Sequence, residues 1–171
     1  MDFKSLIREI PDFPNPGILF YDITTLLKDV KGFQLLIQDL TDHYRNEQIS
    51  KVVGIESRGF ILGGPLAFNL QAGFVPVRKP GKLPADVFEV KYNLEYGSNS
   101  LSIHRDAIDM GERVLVVDDL LATGGTAAAT VHLLRQLGAD IVGCAFMVEL
   151  LELGGREKLD GCSVHSLLSY S

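Results

Sequence analysis

A chain of 171 residues, 46% hydrophobic and 22% charged, falls within the range of a single compact globular domain, and such a length buries most of the surface its unfolded form exposes. The formal net charge of −6 excludes broad attraction to nucleic acid or to an anionic membrane surface, so any anion site must be focal. The N-terminus is broken by Pro11 before any long apolar run and does not read as a signal peptide. No stretch approaches the ~18 to 20 apolar residues of a membrane helix, and a cytoplasmic protein with neither nucleic-acid nor membrane partners is expected.

Taken in chain order, the elements alternate as in an α/β protein. Asp2 to Ile10 reads as a short helix ended by Pro11, and Pro11 to Gly17, with Pro14 and Pro16, is too proline-rich for helix or central strand. Gly32 to Asn46 places Phe33, Leu36, Ile37, Leu40 and Tyr44 on one helical face. Lys51 to Ile55 is a β-branched run that passes through Glu56-Ser57-Arg58-Gly59 into an apolar helix from about Phe60 to Gln71, then a strand from Phe74 to Arg78. The same order recurs with the strand Arg113 to Val117, a helix Thr126 to Leu137 closed by Gly138, and the strand Ile141 to Val148. Near-continuous apolar strands predict a central, mostly parallel sheet flanked by helices. Between the two units, Val87 to Glu95 and Leu101 to Arg105 form a polar two-stranded excursion with little apolar content to anchor it. It reads either as a surface hairpin or as a flap over a site. Cys144 and Cys162 lie far apart in sequence without clustered ligands, so they read as buried or idle thiols in a reducing compartment.

The chemistry concentrates after the strand Val114-Leu115-Val116-Val117, where Asp118-Asp119 is followed by Ala122-Thr123-Gly124-Gly125-Thr126 and a helix. In a parallel sheet, ligands sit outside the carboxyl ends of the strands. Glycines let backbone N–H groups approach an anion, the helix start adds unpaired donors, and threonine hydroxyls add more. Two acceptor-only carboxylates beside that cradle repel a phosphate unless they bind sugar hydroxyls or a hard cation. A ribose phosphate combines both needs. No lysine follows the glycines as in a P-loop, and the G-x-G-x-x-G spacing is missing. Taken alone, Asp118 and Asp119 read equally as a capping pair in a turn.

The string VLVVDDLLATGGTAA as a whole resembles the phosphoribosyl pyrophosphate (PRPP) signature of the type I phosphoribosyltransferases, in the form of their adenine-specific members. Further matches follow in order: Asp12-Phe13-Pro14, Pro16-Gly17-Ile18-Leu19-Phe20, Glu56-Ser57-Arg58-Gly59-Phe60, Arg78-Lys79-Pro80-Gly81-Lys82-Leu83-Pro84, Leu94-Glu95-Tyr96-Gly97 and Gly155-Arg156-Glu157-Lys158-Leu159. The resemblance implies the type I α/β fold over residues 1–171, with an N-terminal hood-like arm over 1–31 and a flexible flap over about 79–105. It implies transfer of a phosphoribosyl group from PRPP to adenine, giving AMP and pyrophosphate, with Mg2+ accompanying PRPP. A homodimer is implied as well. Ala122 to Thr126 are expected to hold the 5-phosphate and Asp118 and Asp119 the ribose. Ser57, Arg58, Gly59, Lys79 and Lys82 are expected on the pyrophosphate, Leu19 and Phe20 on the base, and Glu95 as the proton-transfer group beside it. Arg58 is expected to act in catalysis too, by taking the leaving charge. At Tyr21 the chain departs from many members, which carry arginine there, so backbone recognition by Ile18-Leu19-Phe20 is carried over and a side-chain contact at 21 is not.

Overall fold

The computed structural model describes residues 1–93 and 97–171. The expectation placed on Glu95, with Leu94 and Tyr96, lies outside the described residues. The chain divides into two compact units, 1–42 and 43–171. Among the described residues no helix is long and apolar enough to cross a membrane.

In the first unit the expected helix over Asp2 to Ile10 is a single 3-10 turn, Phe3–Leu6, followed by strand β1, Arg8–Ile10. Nine residues hold too few i to i−4 bonds to outweigh the nucleation cost of a helix, and β1 pairs instead with β2, Phe20–Asp22, antiparallel. Asp22 locks this ribbon to the short helix α1, Thr24–Leu27. Its carboxylate accepts from Thr24 N at 2.9 Å and Thr24 Oγ1 at 2.7 Å, and from Arg8 Nε at 3.0 Å. The Thr24 hydroxyl first, and Arg8 after it, hold the carboxyl down at about 2. The proline-rich segment 11–17 is neither helix nor strand. Helix α2, Val30–Tyr44, follows the expected one-face periodicity, with Leu36, Ile37, Leu40 and Tyr44 buried.

The second unit is built on a five-stranded sheet of order β4-β3-β7-β8-β9, all pairs parallel. The strands are β3 (Lys51–Ile55), β4 (Gly73–Val77), β7 (Arg113–Leu121), β8 (Asp140–Leu150) and β9 (Val164–Tyr170). Helix α3, Arg58–Asn69, connects β3 to β4, and α4, Gly125–Gln136, connects β7 to β8. Val52, Val53, Val114, Leu115, Val116 and Val117 are fully buried, as expected of strands covered on both faces. Gly138 adopts φ +77 and ends α4 as the sequence implies. β9 carries too few apolar residues in succession to stand out in the sequence. It is recruited by β8, which offers it a paired edge over Cys144 to Leu150.

Between β4 and β7 the hairpin of β5, Val87–Asn93, and β6, Ser98–His104, pairs antiparallel. Its apolar content is sparse but segregated by strand alternation. Phe88, Val90 and Tyr92 from β5 and Leu101 and Ile103 from β6 face the core cluster that contains Ala127, Val131 and Leu134 of α4. The hairpin therefore rests on α4 through one face, a stronger anchorage than its composition suggests.

Cys144 on β8 and Cys162, just ahead of β9, interact. Cys144 on β8 is buried and Cys162 half-buried, and a sulfur-to-sulfur hydrogen bond links them, with Arg135 Nη2 3.8 Å from Cys162 Sγ. The bond from Cys144 and then the Arg135 charge, against the cost of burial, hold the Cys162 thiol down at about 6, while that same bond and burial push Cys144 up. A thiol with a lowered value is ionised at lower pH and reacts as thiolate. Cys162 should thus be alkylated by iodoacetamide at a rate that has levelled by pH 7 to 8, with Cys144 unmodified in the folded chain. A rate climbing steadily to pH 9, read by intact mass, contradicts this.

Candidate active site

The strand order places two loops side by side. The chain leaves β3 toward β4 on one side and returns to β7 on the other, so the carboxyl ends of neighbouring β3 and β7 form the switch point where open α/β sheets bind ligands. One loop is 56–57, running into α3, and the other is 122–124, running into α4.

β7 continues past the expected end at Val117 as far as Leu121. The backbone of 118–121 stays in register with β8, Asp118 opposite Phe146 and Leu121 opposite Glu149. Asp118 and Asp119 are therefore strand residues, held more rigidly than in a turn. Asp119, 4% exposed, accepts from Arg58 Nε at 2.9 Å. This pair joins the start of α3 to the end of β7. Asp118 Oδ1 accepts from the Asp119 N–H at 2.9 Å. Burial, then the negative charge of Asp119, hold the Asp118 carboxyl well above the usual carboxylate range, with Arg58 pulling the other way. Gly59 makes the close approach possible, because a Cβ there would lie 2.8 Å from the Val117 carbonyl oxygen.

The loop after β7 closes on Gly124 at φ +82, the left-handed region open to glycine, and no side chain caps α4. The first N–H groups of a helix lack carbonyl partners of their own and suit an anion. A Cβ at Gly124 would strike the Gly155 carbonyl oxygen, and one at Gly155 would strike the Ala122 carbonyl oxygen. Two backbones thus interlock beneath the cradle. A cleft of about 210 Å³ lined by Arg58, Asp118, Asp119, Ala122 to Gly124 and Thr126 adjoins one of about 390 Å³ lined by Glu56, Ser57, Arg58, Lys79, Asp118, Asp119 and Thr126. The two share Arg58, both aspartates and Thr126.

Of the residues expected at the site, Ser57, Arg58, Lys79, Asp118, Asp119, Ala122, Thr123, Gly124 and Thr126 line these clefts, and Gly59 and Gly125 open the two helices beside them. Lys82 is exposed and outside the lining, although its charge acts on Glu56. Leu19 and Phe20 belong to the first unit, where Leu19 is exposed and the Phe20 ring meets Phe13 edge-on at 5.1 Å. Glu56, Arg78, Tyr92 and Gly155, given no role from the sequence, also matter. Glu56 accepts from Arg78 Nη2 and from Lys79 N, each at 2.8 Å. The Arg78 bond chiefly holds its carboxyl below the usual range. Tyr92 Oη lies 3.1 Å from Thr126 Oγ1. The consecutive Gly154-Gly155 was the only sequence signal for the interlock.

Residues 22–163 match the family model described as the phosphoribosyl transferase domain. A protein of Acaryochloris marina named adenine phosphoribosyltransferase is 61% identical over 170 residues, covering 99% of this chain and 100% of its own. Another of that name, from Acidobacterium capsulatum, is 62% identical over 168 residues, covering 98% and 93%. The crystal structure of adenine phosphoribosyltransferase from Thermoanaerobacter pseudethanolicus superposes with a TM-score of 0.95 at 50% identity, covering 99% of this chain and 98% of that one. That of Trypanosoma brucei, in complex with AMP, pyrophosphate and ribose-5-phosphate, has a TM-score of 0.90 at 25% identity, covering 98% of this chain and 77% of that one. A paired-loop cleft at the switch point of a five-stranded parallel sheet, a family match over most of the length and relatives alike from end to end place this chain in the phosphoribosyltransferase family, among the adenine phosphoribosyltransferases.

Proposed function

We propose that this protein transfers the 5-phosphoribosyl group of PRPP to adenine, releasing AMP and pyrophosphate. The observation that carries the reading is the Arg58–Asp119 pair, which joins a glycine-rich anion cradle to a second basic loop across one cleft. PRPP carries a phosphate at one end, a polyol in the middle and a pyrophosphate at the other, and the cleft offers donors, acceptors and donors in that order. The backbone of Ala122 to Thr126 and the Thr123 and Thr126 hydroxyls take the 5-phosphate. Asp118 and Asp119 accept from the ribose hydroxyls. Ser57, Arg58, Gly59 and Lys79 take the pyrophosphate, with Lys82 reaching it from the outer rim.

The ring nitrogen of adenine forms a bond to the anomeric carbon as the bond from that carbon to the pyrophosphate oxygen breaks, and the ribose passes through an oxocarbenium-like state. Arg58 and the lysines stabilise the departing charge. The flap over about 79–105 excludes water that would otherwise hydrolyse PRPP. Leu19 and Phe20, beside the exposed Phe13 and Ile18, present an apolar face that suits a flat purine. Glu95 takes the proton that adenine loses. Magnesium bound with PRPP would neutralise charge on its pyrophosphate, and the carboxylates of Asp118 and Asp119 in the cleft are hard oxygen donors that would suit it.

Incubation with PRPP, magnesium and each purine base in turn, followed by nucleotide chromatography, tests the reading. AMP from adenine alone is expected, and no turnover with adenine overturns it. Glu95→Ala should lower kcat roughly 100-fold or more, and full activity there removes Glu95 from the mechanism.

The assembly we propose is a cytoplasmic homodimer. On α3, Ile61 and Phe68 lie two turns apart on one face, Ile61 41% and Phe68 84% exposed, an apolar pair that suits an interface. Phe68→Glu should give a monomer by light scattering, because a central aromatic anchor is worth about 2 kcal/mol or more. An unchanged dimer mass excludes this face.

A further inference from the structure

We infer that Tyr92 is a positioning residue for the phosphate cradle, its hydroxyl donating to Thr126 Oγ1 so that the Thr126 hydrogen is turned toward the substrate's 5-phosphate. The inference rests on the reading of Thr126 as a phosphate donor and deepens it.

Tyr92 Oη and Thr126 Oγ1 are 3.1 Å apart, and in the bare geometry either oxygen is able to donate. A phosphate settles the direction. Its oxygens only accept, and each hydroxyl has one hydrogen. Once Thr126 spends its hydrogen on the phosphate, the contact with Tyr92 survives only with tyrosine as donor. The result is an ordered relay from Tyr92 O–H to Thr126 O–H to phosphate, in which each bond polarises the next. Without the tyrosine hydroxyl, the Thr126 hydrogen is free to rotate among other acceptors, and that freedom must be lost when substrate binds.

The surroundings hold Tyr92 in place. It is the last inward-facing residue of β5 before the hairpin tip, in line with Phe88 and Val90 against the core. Its ring covers the first residue of α4, where a Cβ built on Gly125 would lie 3.5 Å from Tyr92 Cδ2, an ordinary contact distance. The hydroxyl is thus delivered by a packed strand. Coupling is reciprocal: the relay that strengthens phosphate binding also pins the hairpin to the cradle when phosphate is present.

Tyr92→Phe keeps the ring and removes one oxygen. It should raise KM for PRPP, and weaken calorimetric binding of ribose 5-phosphate, about five- to tenfold, with the effect falling on KM rather than kcat. Thr126→Val should raise KM for PRPP at least as much. In the Thr126→Val background Tyr92→Phe should add less than about twofold, while Thr126→Ser should restore the dependence on Tyr92. Penalties that multiply, or no effect of Tyr92→Phe where Thr126→Val is harmful, overturn the role of Tyr92 and leave the phosphate reading standing. Unchanged KM for PRPP in Thr126→Val and Thr126→Ser overturns the phosphate reading itself.

Discussion

Gly124→Ala is expected to abolish useful turnover, lowering kcat/KM for PRPP by roughly 100- to 1,000-fold. Two costs coincide at this position. The φ of +82 is disfavoured for any residue with a Cβ by roughly 1 to 2 kcal/mol, and the added Cβ collides with the Gly155 carbonyl oxygen. The colliding partner is backbone, so no rotamer relieves it. Either the loop lifts away from 154–155 or α4 starts in a different place, and both move the N–H groups that face the phosphate. A displacement near 1 Å costs on the order of 100-fold in a positioned reaction. Gly155→Ala should reproduce the defect from the opposite side, since its Cβ meets the Ala122 carbonyl oxygen. Steady-state kinetics beside a thermal melt checks both. A folded Gly124→Ala variant within threefold of wild type contradicts the interlock.

Asp119→Asn is expected to lower kcat/KM for PRPP roughly 100-fold while leaving a folded protein. The substitution keeps shape, weakens the acceptor proposed for the ribose, and leaves the half-exposed Arg58 without its charged partner across the cleft. A pH signature accompanies it. Asp118 sits above the usual carboxylate range through burial and then the charge of Asp119. As pH falls through that raised value Asp118 gains a proton and ceases to be a pure acceptor, so the acid limb of the wild-type profile should stand higher than an ordinary carboxylate would place it. Neutral asparagine removes one of the two main raising influences, and the acid limb should move to lower pH. An acid limb that stays in place, measured as the difference between the two kcat/KM profiles, rules out Asp118 as the titrating group.

Much of this was legible in the residues. The valine-rich runs announced buried parallel strands because only two covered faces tolerate them, and β3, α3, β4, α4 and β8 lie within two residues of their expected bounds. Asp118 through Thr126 announced a cleft-lining loop, because glycines, threonines and paired carboxylates at a strand end suit a ligand site, and most of these residues do line one cleft. Other features were not local. β7 runs to Leu121 rather than Val117 because β8 continues to pair with it, and Phe3–Leu6 is one turn because β2 competes for the residues that follow.

The sequence by itself determined the strand-helix periodicity, the two loop motifs and the family they signal, since each is written in consecutive side chains and in their spacing. Only the tertiary structure decided that Arg58 bonds Asp119, that Gly124 interlocks with Gly155, that Tyr92 reaches Thr126 and that Cys144 meets Cys162. Each of those pairs is separated by many residues, and what joins them is the order of strands in the five-stranded sheet and the packing of the separate β5–β6 hairpin on α4, neither of which has a signature in any single segment.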